Sequence, residues 1–375
     1  MRVIIEKLIT GAIGLAHKDG KSLFIPSTLP QEEVECHVVQ DKKNYSLCAL
    51  DEIITPSLDR IKPSCPYSGR CGGCDFDFVD AKTSAELKNE IVQDNLKRIG
   101  KLDYEFEVFP PAFSKGEDYR IRVRFHLDLK TRTIGFLPFK GSKLVPITKC
   151  LRLTERLNSL LEEKTTLLNY AKKLSLTKGV NQYGYVEVPL LDGEDKVSFG
   201  QDEVIIKVEN YNYHADSSVF FQSNIEVLPS MLAFVKEETV GTKIMDLYSG
   251  VGTFSALFPD KRVYSVEKFK PCLQYAKKNA PTSIAVTEDV LAWAKKVKKE
   301  EIDTIIVDPP RVGLAKGVPE LLKGFSPKRI IYVSCDSVTL SRDLPCFAPY
   351  TVKKCKVFDL YPGSSHEESV VVLEK

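Results

Sequence analysis

From about residue 217 onward, short apolar runs rich in β-branched residues alternate with stretches of helical character. The runs are Lys243 to Leu247, Arg262 to Val266, Ser283 to Val286, Thr304 to Val307 and Arg329 to Val333. Continuous apolar runs of this length predict strands buried on both faces, and strands that alternate with helices predict a parallel, doubly wound α/β sheet. Residues 1–55 follow another pattern. Ile4-Ile5, Leu23-Phe24-Ile25 and Val34 to Val39 are broken by turns at Gly11, Gly14 and Asp19-Gly20, which predicts a small antiparallel barrel of the OB type. Between these regions, Pro56 and Pro63 stiffen a linker, and an amphipathic pattern from about Ala81 to Ile99 predicts a helix. Residues 105–215 are mainly strand-like, with one helix near Leu153 to Leu174 and a hairpin from Tyr119–Leu129 and Arg132–Phe139. The expected domains are therefore 1–55, 56–216 and 217–375.

Charge changes this picture only locally. The chain of 375 residues carries a net charge of +2, yet Tyr119 to Lys149 holds eight Lys or Arg against one acid, Asp128. Arg120, Arg122 and Arg124 alternate along one predicted strand, a pattern suited to a phosphate backbone. Met1 to Lys7 lacks the apolar core of a signal peptide and no apolar stretch is long enough to span a bilayer, so a cytoplasmic protein without a membrane partner is expected, as a monomer. In that compartment the ten cysteines are read as metal-binding or catalytic rather than as a disulfide framework.

Cys65, Cys71 and Cys74 lie within ten residues around Gly72-Gly73, and Cys150 offers a remote fourth ligand. Four thiolates suit tetrahedral zinc or a cubane iron–sulfur cluster, and the glycines with the distant ligand lean toward the cluster. A second centre forms where Ile244 to Leu247 runs into Tyr248-Ser249-Gly250-Val251-Gly252-Thr253, with Glu267 closing the next strand about 20 residues on, placed for ribose hydroxyls. The dinucleotide fingerprint is not met and no phosphate-loop lysine follows, so a nucleoside cofactor without phosphates, S-adenosylmethionine, fits best. Asp308-Pro309-Pro310-Arg311 follows a third strand, with its directions stiffened by the prolines. Cys335 ends the strand that starts at Arg329, at the rim where open α/β sheets hold ligands.

In this order the motifs resemble the RNA uracil-5 methyltransferase family. Phe220-Phe221-Gln222-Ser223-Asn224 is similar to its Phe-x-Gln-x-Asn motif, and His366-Glu367-Glu368 to its C-terminal His-x-Glu. The resemblance implies a TRAM barrel at 1–55, a central β-rich domain with a [4Fe-4S] cluster on Cys65, Cys71, Cys74 and Cys150, and a Rossmann-like methyltransferase domain. It implies Cys335 as nucleophile, Glu368 as base, and Gln222, Tyr248, Thr253, Glu267, Asp289 and Asp308 at cofactor positions. Phe220, Arg120, Arg122 and Arg311 are expected on the RNA side. The implied reaction is methylation of carbon 5 of a uridine, in 23S ribosomal RNA first and in transfer RNA as the alternative. Asp336-Ser337 replaces the family's usual Asn-Pro after the nucleophile, and Ser249 a more usual cysteine. An acid at 336 is expected to raise the Cys335 pKa, which keeps open a catalytically impaired RNA-binding module. Cytosine-5 DNA methylation shares thiol addition to a pyrimidine, but its enzymes lack the barrel and the cysteine cluster.

Overall fold

The C-terminal apolar runs become strands of one eight-stranded sheet in a computed structural model that describes all 375 residues. Across it run Ile284–Thr287, Arg262–Glu267, Lys243–Leu247, Thr304–Val307, Arg329–Ser334, Ser369–Glu374, Thr351–Val357 and Glu107–Val108. The first five are parallel, and Ser369–Glu374 is antiparallel to both its neighbours. Alternation within each strand feeds two cores: Ile244, Ile306, Ile331 and Val333 pack on one face, while Met245, Ile305, Val307 and Tyr332 pack on the other. Burial on both faces explains why these strands read as uninterrupted apolar runs. Truncating any such Ile to Ala would cost about 2–5 kcal/mol.

The first 55 residues close on themselves. Arg2–Ile4 pairs with Glu33–Asp41 at one edge of a six-stranded sheet, and Lys7–Ile9 pairs with Ile13–Lys18 at the other. These two strands are halves of one bent segment, which carries the hydrogen bonding through the bend with Ile5 N–H donating to the Glu32 carbonyl and Glu6 N–H to that of Leu15. Ile5, Ala16, Leu23, Ile25 and Val34 fill the interior. One pairing departs from the antiparallel expectation: Lys21–Ile25 runs parallel to Tyr45–Thr55.

The middle sheet comprises Val145–Pro146, Thr133–Phe136, Arg122–Asp128, Val186–Asp192 and Val197–Phe199, and contains the expected hairpin. The single helix expected near 153–174 is two, Glu155–Glu163 and Thr165–Thr177, broken at Lys164, whose φ is +57°. Two segments assigned by sequence to the middle region pack elsewhere. The Ala81–Arg98 helix places Val92 and Leu96 in the core of the eight-stranded sheet, and the Val204–Val208/Tyr211–Ala215 hairpin joins that sheet's opposite face. Periodicity identifies a strand or helix but not which core its apolar face will meet. No helix is long and apolar enough to cross a membrane.

Candidate active site

The parallel strands are in register, so their carboxyl ends deliver side chains to one edge. Beyond Lys243–Leu247 the chain turns sharply through Tyr248, Gly250 and Gly252, at φ of +62°, +55° and +80°. A Cβ on Gly252 would stand 3.0 Å from the Ala276 Cα, so this glycine serves both the turn and the close approach of the Lys270–Asn279 helix. Asp246, fully buried beneath the turn, accepts from Ser255 N–H at 2.9 Å and Ser255 Oγ–H at 2.6 Å. Burial pushes its carboxyl up to about 6 against those hydrogen bonds. Glu267 accepts from Gly250 N–H at 3.1 Å and Phe269 N–H at 2.6 Å, which fixes it at the end of the adjoining strand. Asp308 ends the next strand, and burial first, then the nearby Asp246 and Glu267 charges, push it up to about 7.

A cavity of about 1360 Å³ opens over these ends and is lined by Gln222, Tyr248, Thr253, Glu267, Asp308, Arg311, Cys335, Glu368, Phe220 and Arg120. Gln222 is buried at 7 % exposure in this lining and its Oε1 has no protein partner. Phe221 is in the core at 1 % exposure whereas Phe220 is 52 % exposed, with the Arg122 guanidinium 5.7 Å from its ring centre. Two expected residues fall outside the lining. Arg122 reaches the site only through that stacking contact. Asp289 caps the Val290–Lys296 helix, accepting from Leu291 N–H at 3.0 Å and Ala292 N–H at 3.2 Å, and burial, then the Asp289 charge, raises the Tyr248 pKa.

Cys335 and Glu368 meet because of strand register. Ser334 pairs with Ser369 across the antiparallel Arg329–Ser334 and Ser369–Glu374 strands, so the next residue on one side and the preceding residue on the other face each other past the last pair. The Glu368 backbone is pinned by Phe358 N–H at 2.8 Å. Burial, then the Glu368 and Asp308 charges, push the Cys335 thiol up to about 12, while Arg311 opposes them as a charge and a hydrogen-bond donor. Glu368, at 3 % exposure, is held well above the usual carboxylate range by burial, then by Asp308 and Glu367. Arg311 also bonds the His366 Nδ1, and burial followed by Arg311 lowers the His366 pKa, which favours the neutral imidazole.

The expected culprit for a raised Cys335 pKa, Asp336, has another job. Its carboxylate caps the Ser337–Asp343 helix, accepting from Thr339 N–H at 2.9 Å. Ser337 is buried, donates its N–H to Glu367 Oε1 at 2.8 Å and its hydroxyl to the same oxygen, and accepts from Asn95 Nδ2 at 2.7 Å. Thus Asp336 caps as an asparagine would, and Ser337 supplies an N–H that proline lacks. The sequence signal for Glu367 was only its place in an acidic pair. Nothing local marked Asn95, and Ser337 stood out only as a departure from the family's usual proline.

A second cavity, of about 380 Å³, adjoins the first and is lined by Cys65, Cys71, Cys74 and Cys150 with Arg120 and Arg152. All four thiols are free. No group of three or more His, Cys, Asp or Glu side chains is placed to hold a metal ion. Burial raises Cys71, Cys150 and Cys74, the last to about 11. Gly72 is required by packing: a Cβ there would stand 2.6 Å from the Phe139 nitrogen, and its N–H donates to the Leu137 carbonyl.

Residues 293–375, which carry Asp308, Arg311, Cys335 and Glu368, match the tRNA (Uracil-5-)-methyltransferase family. An uncharacterised RNA methyltransferase of Aquifex aeolicus is 28 % identical, with 100 % of this chain and 98 % of that protein covered. One of Thermotoga maritima is 29 % identical over 100 % of this chain and 99 % of its own length. Among solved structures, the Pyrococcus abyssi tRNA (uracil-54, C5)-methyltransferase in complex with S-adenosyl-L-homocysteine shares the fold over 100 % of both chains, with a TM-score of 0.74 and 22 % identity. The chain is thus similar to tRNA (uracil-5-)-methyltransferases over residues 293–375 and to RNA methyltransferases along its whole length.

Proposed function

We propose that the protein methylates carbon 5 of a uridine in RNA, with Cys335 as nucleophile and Glu368 as general base. The observation that carries this reading is their juxtaposition across one strand pair, on the floor of a cavity whose other wall is Tyr248, Glu267 and Asp308. S-adenosylmethionine would supply the methyl group as a sulfonium-bound carbon. Gln222, Tyr248, Thr253, Glu267 and Asp308 would hold it, and the mutually repelling Asp246, Glu267 and Asp308 carboxyls favour a cationic ligand beside them. Asp289 would act on that site through Tyr248 and the helix it caps.

Carbon 5 of uracil becomes nucleophilic only after addition at carbon 6. The Cys335 sulfur forms that bond and leaves an enolate, and Arg311 stabilises the thiolate that attacks. After carbon 5 gains the methyl group, Glu368 removes its proton and the carbon–sulfur bond breaks, returning the electron pair to Cys335. The uridine must leave its stack to reach Cys335, at about a few kcal/mol. The exposed Phe220 ring offers a stacking partner, and Arg120 and Arg122 positions for phosphates.

Cys65, Cys71, Cys74 and Cys150, which line one cavity, would hold a [4Fe-4S] cluster through four thiolates. Such a group would cross-link residues 65–74 to Cys150. In the same reading residues 1–55 are a TRAM-type RNA-binding barrel, and 23S ribosomal RNA is the first substrate, with transfer RNA second because of the family match. Incubating the holoprotein with labelled S-adenosylmethionine and total RNA tests this. Label is expected in 5-methyluridine, and the fraction that carries it, ribosomal or transfer, names the substrate. Intact cofactor and RNA binding without incorporation would favour an impaired RNA-binding module.

A further inference from the structure

The loop from Asp359 to Glu368, which presents the proposed base, is fixed from three directions. At its start, the buried Lys88 donates to Asp359 at 2.7 Å and to the Tyr361 carbonyl at 3.2 Å. At its end, Ser337 holds Glu367. Between these, the chain immediately after Cys74 holds it. Asp75 Oδ1 accepts from Ser365 N–H at 2.7 Å, Asp75 Oδ2 accepts from Ser365 Oγ–H at 2.7 Å, and Phe76 N–H donates to the Gly363 carbonyl at 3.1 Å. Arg152 reinforces the contact from the second cavity. Its guanidinium lies 2.6 Å from where a Cβ on Gly363 would stand, and it lines the second cavity beside Cys74.

Only two residues separate Ser365 from Glu368. So short a span ties the position of Ser365 to the aim of the Glu368 carboxyl, alongside the bonds that hold Glu367 and the Glu368 carbonyl. Cys335, by contrast, ends a central strand that the cysteine segment does not hold. We propose that Asp75 is a positioning residue for Glu368, a strap by which the cysteine segment sets the aim of the base while leaving the nucleophile in place. The inference rests on the reading of Glu368 as the base.

The strap separates two half-reactions. Removing it should slow proton removal and adduct breakdown but spare adduct formation, since misplacement by about 1 Å costs on the order of 10²-fold. Full-length Asp75→Ala is expected to lose about 10- to 100-fold in kcat with KM within about threefold. It should also accumulate a covalent protein–RNA adduct in single-turnover reactions. Asp75→Asn keeps an acceptor for the Ser365 N–H and should recover most of the loss. Ser365→Ala removes one of the two bonds and should fall between, which provides a milder test should Asp75→Ala fold poorly. Glu368→Gln, run alongside, must trap adduct if the base assignment holds. If it does and the Asp75 and Ser365 variants form and release adduct at the parent rates, or slow both steps equally, the strap is refuted. If Glu368→Gln traps nothing, the base assignment fails instead.

Discussion

The two walls of the large cavity are built in different ways. On the cofactor side, Tyr248, Glu267 and Asp308 sit at the ends of adjacent parallel strands, and backbone register alone brings them together. On the side of the proposed base, the loop carrying Glu368 is held by Lys88, Asp75 and Ser337, which come from the Ala81–Arg98 helix, from the cysteine segment and from the start of the Ser337–Asp343 helix. One wall forms with the sheet. The other is complete only when three separate segments have docked, so its geometry is open to disturbance from far along the chain.

Cys335, where the walls meet, should show the largest effect. Cys335→Ala is expected to abolish the covalent adduct and to lower methylation by about 10⁴-fold or more, while labelled cofactor still binds. Loss of cofactor binding as well would mean that the walls are not separable. The next effect belongs to the assembled wall. Lys88→Met leaves Asp359 charged and buried without its partner, which should cost about 3–5 kcal/mol of stability, read from denaturant unfolding. A loss near zero would remove Lys88 from the account.

Arg311→Ala should act through charge. Cys335 is pushed up to about 12 by burial, Glu368 and Asp308, and Glu368 is also shifted upward. Both upward shifts carry the same sign, because the thiolate and the carboxylate each gain population as pH rises. The single-turnover rate is therefore expected to climb from about pH 7 to 9 rather than level off at neutrality. Arg311 lowers the thiol pKa, so its loss should slow the reaction about tenfold at fixed pH and keep the rising profile. Alkylation of Cys335, followed by peptide mass mapping, reads the same ionisation directly. The smallest effect is reserved for the cofactor wall: Asp289→Ala removes a helix cap and should cost about 1 kcal/mol of stability with only a modest rise in cofactor Kd.

This contrast also explains what could be read from the sequence. The five parallel strands, the glycine turn, Glu267, Asp308 and Cys335 were legible because each is a local pattern with a fixed place in an α/β sheet. The Ala81–Arg98 helix was legible as a helix, but its alliance with the C-terminal sheet was not, since amphipathicity does not name a partner. Asp289 and Asp336 were read through family position, whereas the local backbone uses both as helix caps. Asp75 and Asn95 escaped notice, and Ser337 was read only as a departure from the family pattern, because their partners lie 290, 242 and 30 residues away. Three of the cysteines were found by spacing, but that Cys150 lines one cavity with them needed coordinates.

The most direct test of the account is the mass of Glu368→Gln after incubation with substrate RNA and S-adenosylmethionine. The account predicts a covalent adduct joined through Cys335 and carrying the transferred methyl group, absent from the Cys335→Ala/Glu368→Gln double variant. RNA and cofactor binding at parent affinity without any adduct, or an adduct that survives loss of Cys335, would contradict it.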